Sequence, residues 1–211
     1  MRASVMGSLQ SLYADSSPAA LGQRRATVDV ARGGTAAVHV LADTLPAGEP
    51  LFVSVRERGR RVRGARWFRL HAVPVEANTG RGGFIEADTG RNPHVARRAP
   101  FRVYDAMEPV EDAAGPAGPT AALRLEVPVA RSARPGLRDC EIRLACGPAE
   151  RTLPLRITVH PVRIPPAGAA SLPYTNWFRL EAMATRHGRP PWSPGHWAMI
   201  RRYAALMAHG R

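Results

Sequence analysis

Lysine is absent from this 211-residue chain: all 30 of its basic residues are arginine, against 17 acidic residues, for a formal charge of +13. A charge of that size invites a nucleic-acid reading. Alanine, glycine and proline abound beside arginine, which is what GC-rich codon usage produces, and the arginines are dispersed. The densest run, RERGRRVRGAR from Arg56 to Arg66, lies between two strand-like segments and reads as a solvated hairpin loop. It has no aromatic residue before Trp67, whereas a single-strand groove interleaves rings for base stacking. Nucleic acid is therefore not an expected partner. No run of 18 or more apolar residues occurs, which excludes a membrane-spanning helix. The start, MRASVMGSLQSLYADSSPAA, lacks the apolar stretch of a secretory signal, so none is expected and the compartment stays open.

Cysteine is scarce too: Cys140 and Cys146 are the only two. On one strand, six residues place them roughly 20 Å apart, while a disulfide needs Cα atoms within about 7 Å. They share a face with Ile142 and Leu144, which predicts buried free thiols. Neither has histidine at ligand spacing, so no metal site is expected, and no cofactor motif appears.

What the chain does have is alternation. Val28 and Val30, Val38 and Val40, Leu51, Val53 and Val55 each alternate with residues on the opposite face. The same period runs through Leu123 to Val129, Cys140 to Cys146 and Leu153 to Val159. One apolar face per strand is the mark of antiparallel sheets packed on one side. On this pattern His39 lies on the open face. The clusters ARGG, LPAGEP, ARPG and CGPAE read as turns, and AGPAGPT, 114–120, as a flexible connection. Many short strands with regular punctuation predict a mainly β fold, an antiparallel β-sandwich, over 1–162.

Between its possible strands the chain repeats itself: EANTGR at 76–81 returns as EADTGR at 86–91. Two turns at one end of the sandwich account for this. The alternative is a ligand or calcium pocket built from Asn78, Asp88 and Asn92. Glu111 and Asp112 are adjacent acids, read as a solvated turn.

The Pro/Gly/Ala-rich stretch 163–173 reads as a linker. Beyond it, Leu172 to Phe178 is compatible with a short buried strand. Leu180, Met183, Ala184 and His187 have helical spacing, with Gly188 as the stop. Ser193 and Pro194 predict a capped helix start. Trp197, Ile200, Ala204 and Met207 then form an apolar stripe, and His209 and Gly210 close the helix. A strand–helix unit of this kind, over 174–211, is the first unit of an α/β architecture. It lacks partners for its ladder and its stripe, so further polypeptide or a partner chain is expected to cover Trp197, Ile200 and Met207.

The elements His187-Gly188, Trp192-Ser193, His196-Trp197 and Met207-Ala208-His209 resemble the opening of the catalytic barrel in glycoside hydrolase family 123 and its relatives. SVMGSLQSLYADSSP, PFRVYDAMEPV and LPLRITVHPVRIP resemble stretches of the β-sandwich that precedes that barrel. The resemblance implies a sandwich, a linker, and a fragment like the first unit of a (β/α)8 barrel, cut short at 211. It implies a relation to β-N-acetylgalactosaminidases, and carbohydrate as the partner. In that group an Asp–Glu pair on later strands does the chemistry, the substrate's acetamido oxygen acting as nucleophile. Glu181 is the one acidic residue between 171 and 211, so no catalytic residue can be assigned and the chain is expected to be inactive alone.

Barrel sites lie at the C-terminal ends of strands, which singles out Asn176 and Trp177 as candidate sugar contacts. The other reading of Trp177, Trp192 and Trp197 is plain packing. His187, His196 and His209 are read as packing or capping groups. The competing hypothesis for the whole chain is a stand-alone β-sandwich that binds carbohydrate or a protein partner.

Overall fold

The computed structural model describes residues 1–111, 113–116, 118–166 and 179–209. In chain order the first unit runs β1 (Arg2–Gly7), α1 (Pro18–Leu21), β2 (Ala26–Arg32), β3 (Thr35–Asp43), β4 (Pro50–Glu57) and β5 (Arg60–Arg61). It continues through β6 (Arg66–Val75), α2 (Glu86–Thr89), β7 (Phe101–Val110), β8 (Ala113–Pro116), β9 (Thr120–Pro128), β10 (Gly136–Cys146) and β11 (Ala149–Arg163). Two helices follow, α3 (Leu180–Arg186) and α4 (Pro194–His209). The chain divides into two compact units, Met1–Ile164 and Pro165–Arg211.

The first unit is mainly β, with two sheets. One has five strands in the order β1-β3-β9-β6-β7. The other has six, in the order β2-β11-β10-β4-β5 with β8 also pairing to β4. The alternating residues do what their period dictates. Ala36, Val38, Val40, Leu123, Leu125 and Val127 of one sheet share a buried cluster with Leu51, Val53, Ile142, Leu144, Leu155 and Ile157 of the other. Cys140 and Cys146 lie in the same cluster as free thiols. Ile142 pairs with Leu153 on one side and Val55 on the other, so apolar side chains meet across three strands.

Four features depart from the sequence expectation. First, β2 and β11 run parallel, Val28 opposite Ile157 and Val30 opposite Val159, so that sheet is mixed. Alternation fixes which face is buried and leaves strand direction open. Second, the outer face of the five-stranded sheet is not open. Met6, Leu12, Leu41, Leu70 and Ala122 form a second buried cluster there, with Leu21 and Tyr104 against it. His39 is accordingly buried, with Nδ1 at 3.2 Å from the Gln10 carbonyl. Burial is the main cause of its lowered pKa. The cover is the segment between β1 and β2. Ser17 caps α1 through the Ala20 amide, the Ser4 hydroxyl donates to the Pro18 carbonyl, and the Arg97 guanidinium pairs with Asp15 and lies 4.3 Å from the Tyr13 ring centre.

Third, part of AGPAGPT is a strand: Ala113 pairs with Phe52 and Pro116 with Pro50, occupying an edge of β4 that would otherwise carry unpaired backbone groups. Fourth, the arginine-rich run is partly a strand. β4 and β5 form a hairpin, Glu57 opposite Arg60, and both turn residues are left-handed, Arg58 at φ 49° and Gly59 at φ 76°. That is the type I′ geometry, whose twist matches the strands.

In the second unit, Gly188 takes φ 58° just past α3, as a helix stop requires. Ser193 starts α4, its hydroxyl accepting from the His196 amide at 3.3 Å and its carbonyl from the Trp197 amide at 3.0 Å. The strand read over Leu172 to Phe178 lies outside the described residues.

Candidate functional site

A glycosidase needs a carboxylic acid that keeps its proton near neutrality, which burial away from cations provides. Several carboxyl groups of the sandwich have the opposite surroundings. Asp43 accepts from Arg2 at 2.9 and 2.8 Å, and Glu57 from Arg138 at 3.0 and 2.7 Å. Glu126 is held by Arg66 at 2.6 Å and Arg124 at 2.9 Å. Among the described residues, each carboxyl group whose pKa is displaced is displaced downward: Asp15, Asp43, Glu57 and Asp139 first by a hydrogen bond from arginine, Glu86 first by the Asn92 amide. A groove of about 390 Å³ on the outer face of the six-stranded sheet does bring two carboxylates together, Asp139 and Glu141. Each is paired, with Arg156 and Arg143, both at 2.8 Å. With each carboxylate already bound to an arginine, neither is free to serve a substrate as acid or base.

The repeated TGR loops build a brace. Asn78 donates to the Arg97 carbonyl at 3.0 Å and accepts from the Ala99 amide at 2.8 Å. Glu86 accepts from the Asn92 amide at 2.9 Å and pairs with Arg98. Asn92 accepts from the His94 amide at 3.0 Å, and Asp88 is exposed on α2. The three candidate pocket residues thus spend their polar groups on loop backbone or face solvent. No group of three or more His, Cys, Asp or Glu side chains that could hold a metal ion occurs among the described residues.

The histidine–tryptophan motif also has a structural use. His196 is fully buried. Its Nδ1 accepts from the Trp192 amide at 2.8 Å, and its Nε2 lies 3.0 Å from the Leu180 carbonyl. An acceptor at Nδ1 and a carbonyl at Nε2 require the neutral ring protonated on Nε2. One imidazole therefore ties the start of α4 to the start of α3 and holds Trp192 in its left-handed conformation, φ 63°. His187 lies 2.9 Å from the Tyr203 hydroxyl, and the Trp192 and Trp197 rings sit 5.7 Å apart. Along the predicted stripe, Ile200 and Met207 are half-buried and Trp197 remains exposed. Asn176 and Trp177 lie outside the described residues, as do Asp112 and the side chain of His209.

A second cleft, of about 760 Å³, opens at the β4–β5 hairpin. Its rim is Arg58, Arg60, Arg61, Arg63 and Arg138, and its single acid is Glu57. Sequence reading treated this run as solvated charge; the contribution of Arg138, from a strand distant in sequence, could not be seen there.

No protein-family model matches the chain, and no curated protein does. Among solved structures, it has a weak similarity to a family 123 glycoside hydrolase from Clostridium perfringens, studied for glycolipid glycan hydrolysis. The alignment covers 77% of this chain and 28% of that one, at 14% identity and a TM-score of 0.48. The CooA pilin subunit from enterotoxigenic Escherichia coli aligns over 76% of this chain and 100% of its own, at 11% identity and a TM-score of 0.27. The chain thus spans less than a third of the hydrolase. At these scores neither likeness bears on activity.

Proposed function

We propose that these 211 residues are the non-catalytic β-sandwich portion of a glycoside hydrolase-like protein, followed by the start of a barrel. The residues that support the relation are His187-Gly188, Trp192-Ser193, His196-Trp197 and Met207-Ala208-His209. In this reading the helical segment seats a barrel, and a further polypeptide segment covers Trp197, Ile200 and Met207. Asn176 and Trp177 contact sugar at the end of the first barrel strand. The observation that carries the non-catalytic part is geometric: Asp43, Glu57, Glu126, Asp139 and Glu141 are each bound by arginine, which leaves none of them a free acid.

The test is a hydrolysis assay of the 211-residue chain on nitrophenyl N-acetylgalactosaminide. The expected rate is that of buffer. Turnover that disappears in Asp139→Asn or Glu141→Gln would overturn the proposal and put the chemistry in the outer groove of the sandwich.

The self-contained binding sandwich is the second reading. It is favoured by one observation, that both buried clusters of the sandwich are composed of residues within 1–164. Titration with N-acetylgalactosamine oligosaccharides separates the two. A loss of affinity in Asn176→Ala and Trp177→Ala favours the barrel reading, and affinity untouched by both favours the sandwich.

A further inference from the structure

Arginine outnumbers the acids of this chain, so the informative question is where the surplus collects. Arg2, Arg66, Arg97, Arg98, Arg124, Arg138, Arg143 and Arg156 are each paired with a carboxylate. Arg32, Arg56, Arg102, Arg131 and Arg151 donate to backbone carbonyls. Among the exposed arginines whose side chains have no hydrogen bond or salt bridge with the described residues, Arg58, Arg60 and Arg63 line a single cleft. The hairpin turn sets them close together, at the mouth of one cleft. Five arginines and one glutamate line that cleft, and the glutamate already has both oxygens on Arg138, at 3.0 and 2.7 Å. The like charges of Arg58, Arg60 and Arg63, held this close, repel one another and gain by binding an anion with several charges.

The form of the cleft narrows the anion. It is open at the surface, which suits a chain that passes through more than a small molecule that must be enclosed. The rest of its lining is small and apolar, Val62, Pro128, Ala130 and Ala133, and no aromatic side chain lines it. A single-stranded nucleic acid would find no stacking platform. A sulfated or uronate sugar chain needs none: its charged groups project at intervals, and the planar guanidinium fork takes sulfate or carboxylate in pairs of hydrogen bonds. The C–H edges of sugar rings suit small apolar lining residues. We propose that the cleft at the β4–β5 hairpin, rimmed by Arg58, Arg60 and Arg63, is a binding surface for an anionic polysaccharide. This stands on the placement of charge alone and holds whether or not the chain serves a hydrolase.

The test uses the full chain and heparin oligosaccharides as the probe, with affinity read by calorimetry at several salt concentrations. The triple variant R58S/R60S/R63S is compared with R81S/R91S/R201S, which removes the same charge from exposed positions elsewhere. The expected result is a loss of about tenfold or more for the hairpin triple. Its plot of log affinity against log salt should flatten by about one unit for each arginine that binds an anionic group in the parent. The control triple should stay within about twofold of the parent, since exposed, screened charges that do not line the cleft contribute little. Arg138 is left in place, because its removal would strip Glu57 of its partner. Equal losses in both triples would show that only net charge matters and would overturn the proposal, as would heparin failing to bind the parent at low salt. So would a mixed-sequence single-stranded oligonucleotide that binds more tightly than heparin of equal charge and depends on the same three arginines. Matching far-ultraviolet spectra and melting curves for the two triples establish that the comparison is of binding and not of folding.

Discussion

Glu57 faces two groups that respond to it in different ways. The Arg138 guanidinium, bound to both its oxygens, holds its carboxyl below the usual range. The Cys140 thiol, in the buried face of β10, is pushed up from 9.0 to about 11, first by burial and then by the Glu57 charge. A thiol that holds its proton more tightly in the folded state stabilises the fold fully below about pH 9, and that contribution is lost as pH rises through about 11. Denaturant unfolding across this alkaline range should therefore show a decline that Cys140→Ala reduces. Glu57→Gln removes one of the three raising causes, burial and the Asp139 charge being the others, and should move the decline to lower pH. A Cys140→Ala variant with the parent's alkaline profile would refute the assignment. The carboxylates give the acid limb the opposite sign. Asp43 and Glu57 are depressed, so their contribution is present above about pH 4 and is lost as pH falls through their native values.

At the scale of elements, the α3–α4 pair depends on one ring. His196 serves two backbone groups at once, the Trp192 amide and the Leu180 carbonyl, from a site that water does not reach. His196→Ala leaves both without that partner, at a cost of about 1–3 kcal/mol to the helical pair. Hydrogen exchange should show faster exchange over 180–186 and 194–200 while the strands keep their protection; acceleration spread evenly over the whole chain would contradict a local role. These helices were legible because their stop and start are local devices: Gly188 in the left-handed conformation, Ser193 as cap. The buried strand faces were legible for the same reason, since Ile142 and Leu144 announce their face to any reader of period two. What stayed hidden depends on distant partners. His39 has an ordinary alternating neighbourhood, and nothing in it says that Gln10 and Leu12 will lie over it. The parallel match of Val28 with Ile157 joins residues from the two ends of the sandwich. For the candidate site, the tail motif was readable as a motif, yet its histidine works as a backbone tie. The arginine cleft needed Arg138, brought to the hairpin by the pairing of β10 with β4.

For the molecule as a whole, the order of the six-stranded sheet decides what can be removed. β11 lies between β2 and β10, with Leu155 opposite both Ala26 and Cys140. Among the described residues, both buried clusters of the sandwich are made of residues up to Val159. A fragment 1–164 should therefore fold alone, with a cooperative melt and a midpoint within a few degrees of the strand signal in the full chain. A fragment 1–148 loses the strand that joins β2 to β10, and with it Leu153, Leu155, Ile157 and Val159 from the core. Deleting four such side chains, at about 2–5 kcal/mol each, costs about as much as the roughly 5–15 kcal/mol that holds a typical domain together, and the ladder bonds of β11 go with them, so this fragment should show no cooperative transition. Because β11 must find β2 across more than a hundred residues, the 1–164 fragment should also refold slowly for its size, on the scale of milliseconds to seconds. Stopped-flow refolding and thermal melts of the two fragments decide the matter. A cooperative 1–148 would mean that β2 can close on β10 without the strand between them, and the order β2-β11-β10 would not be what holds the sheet together.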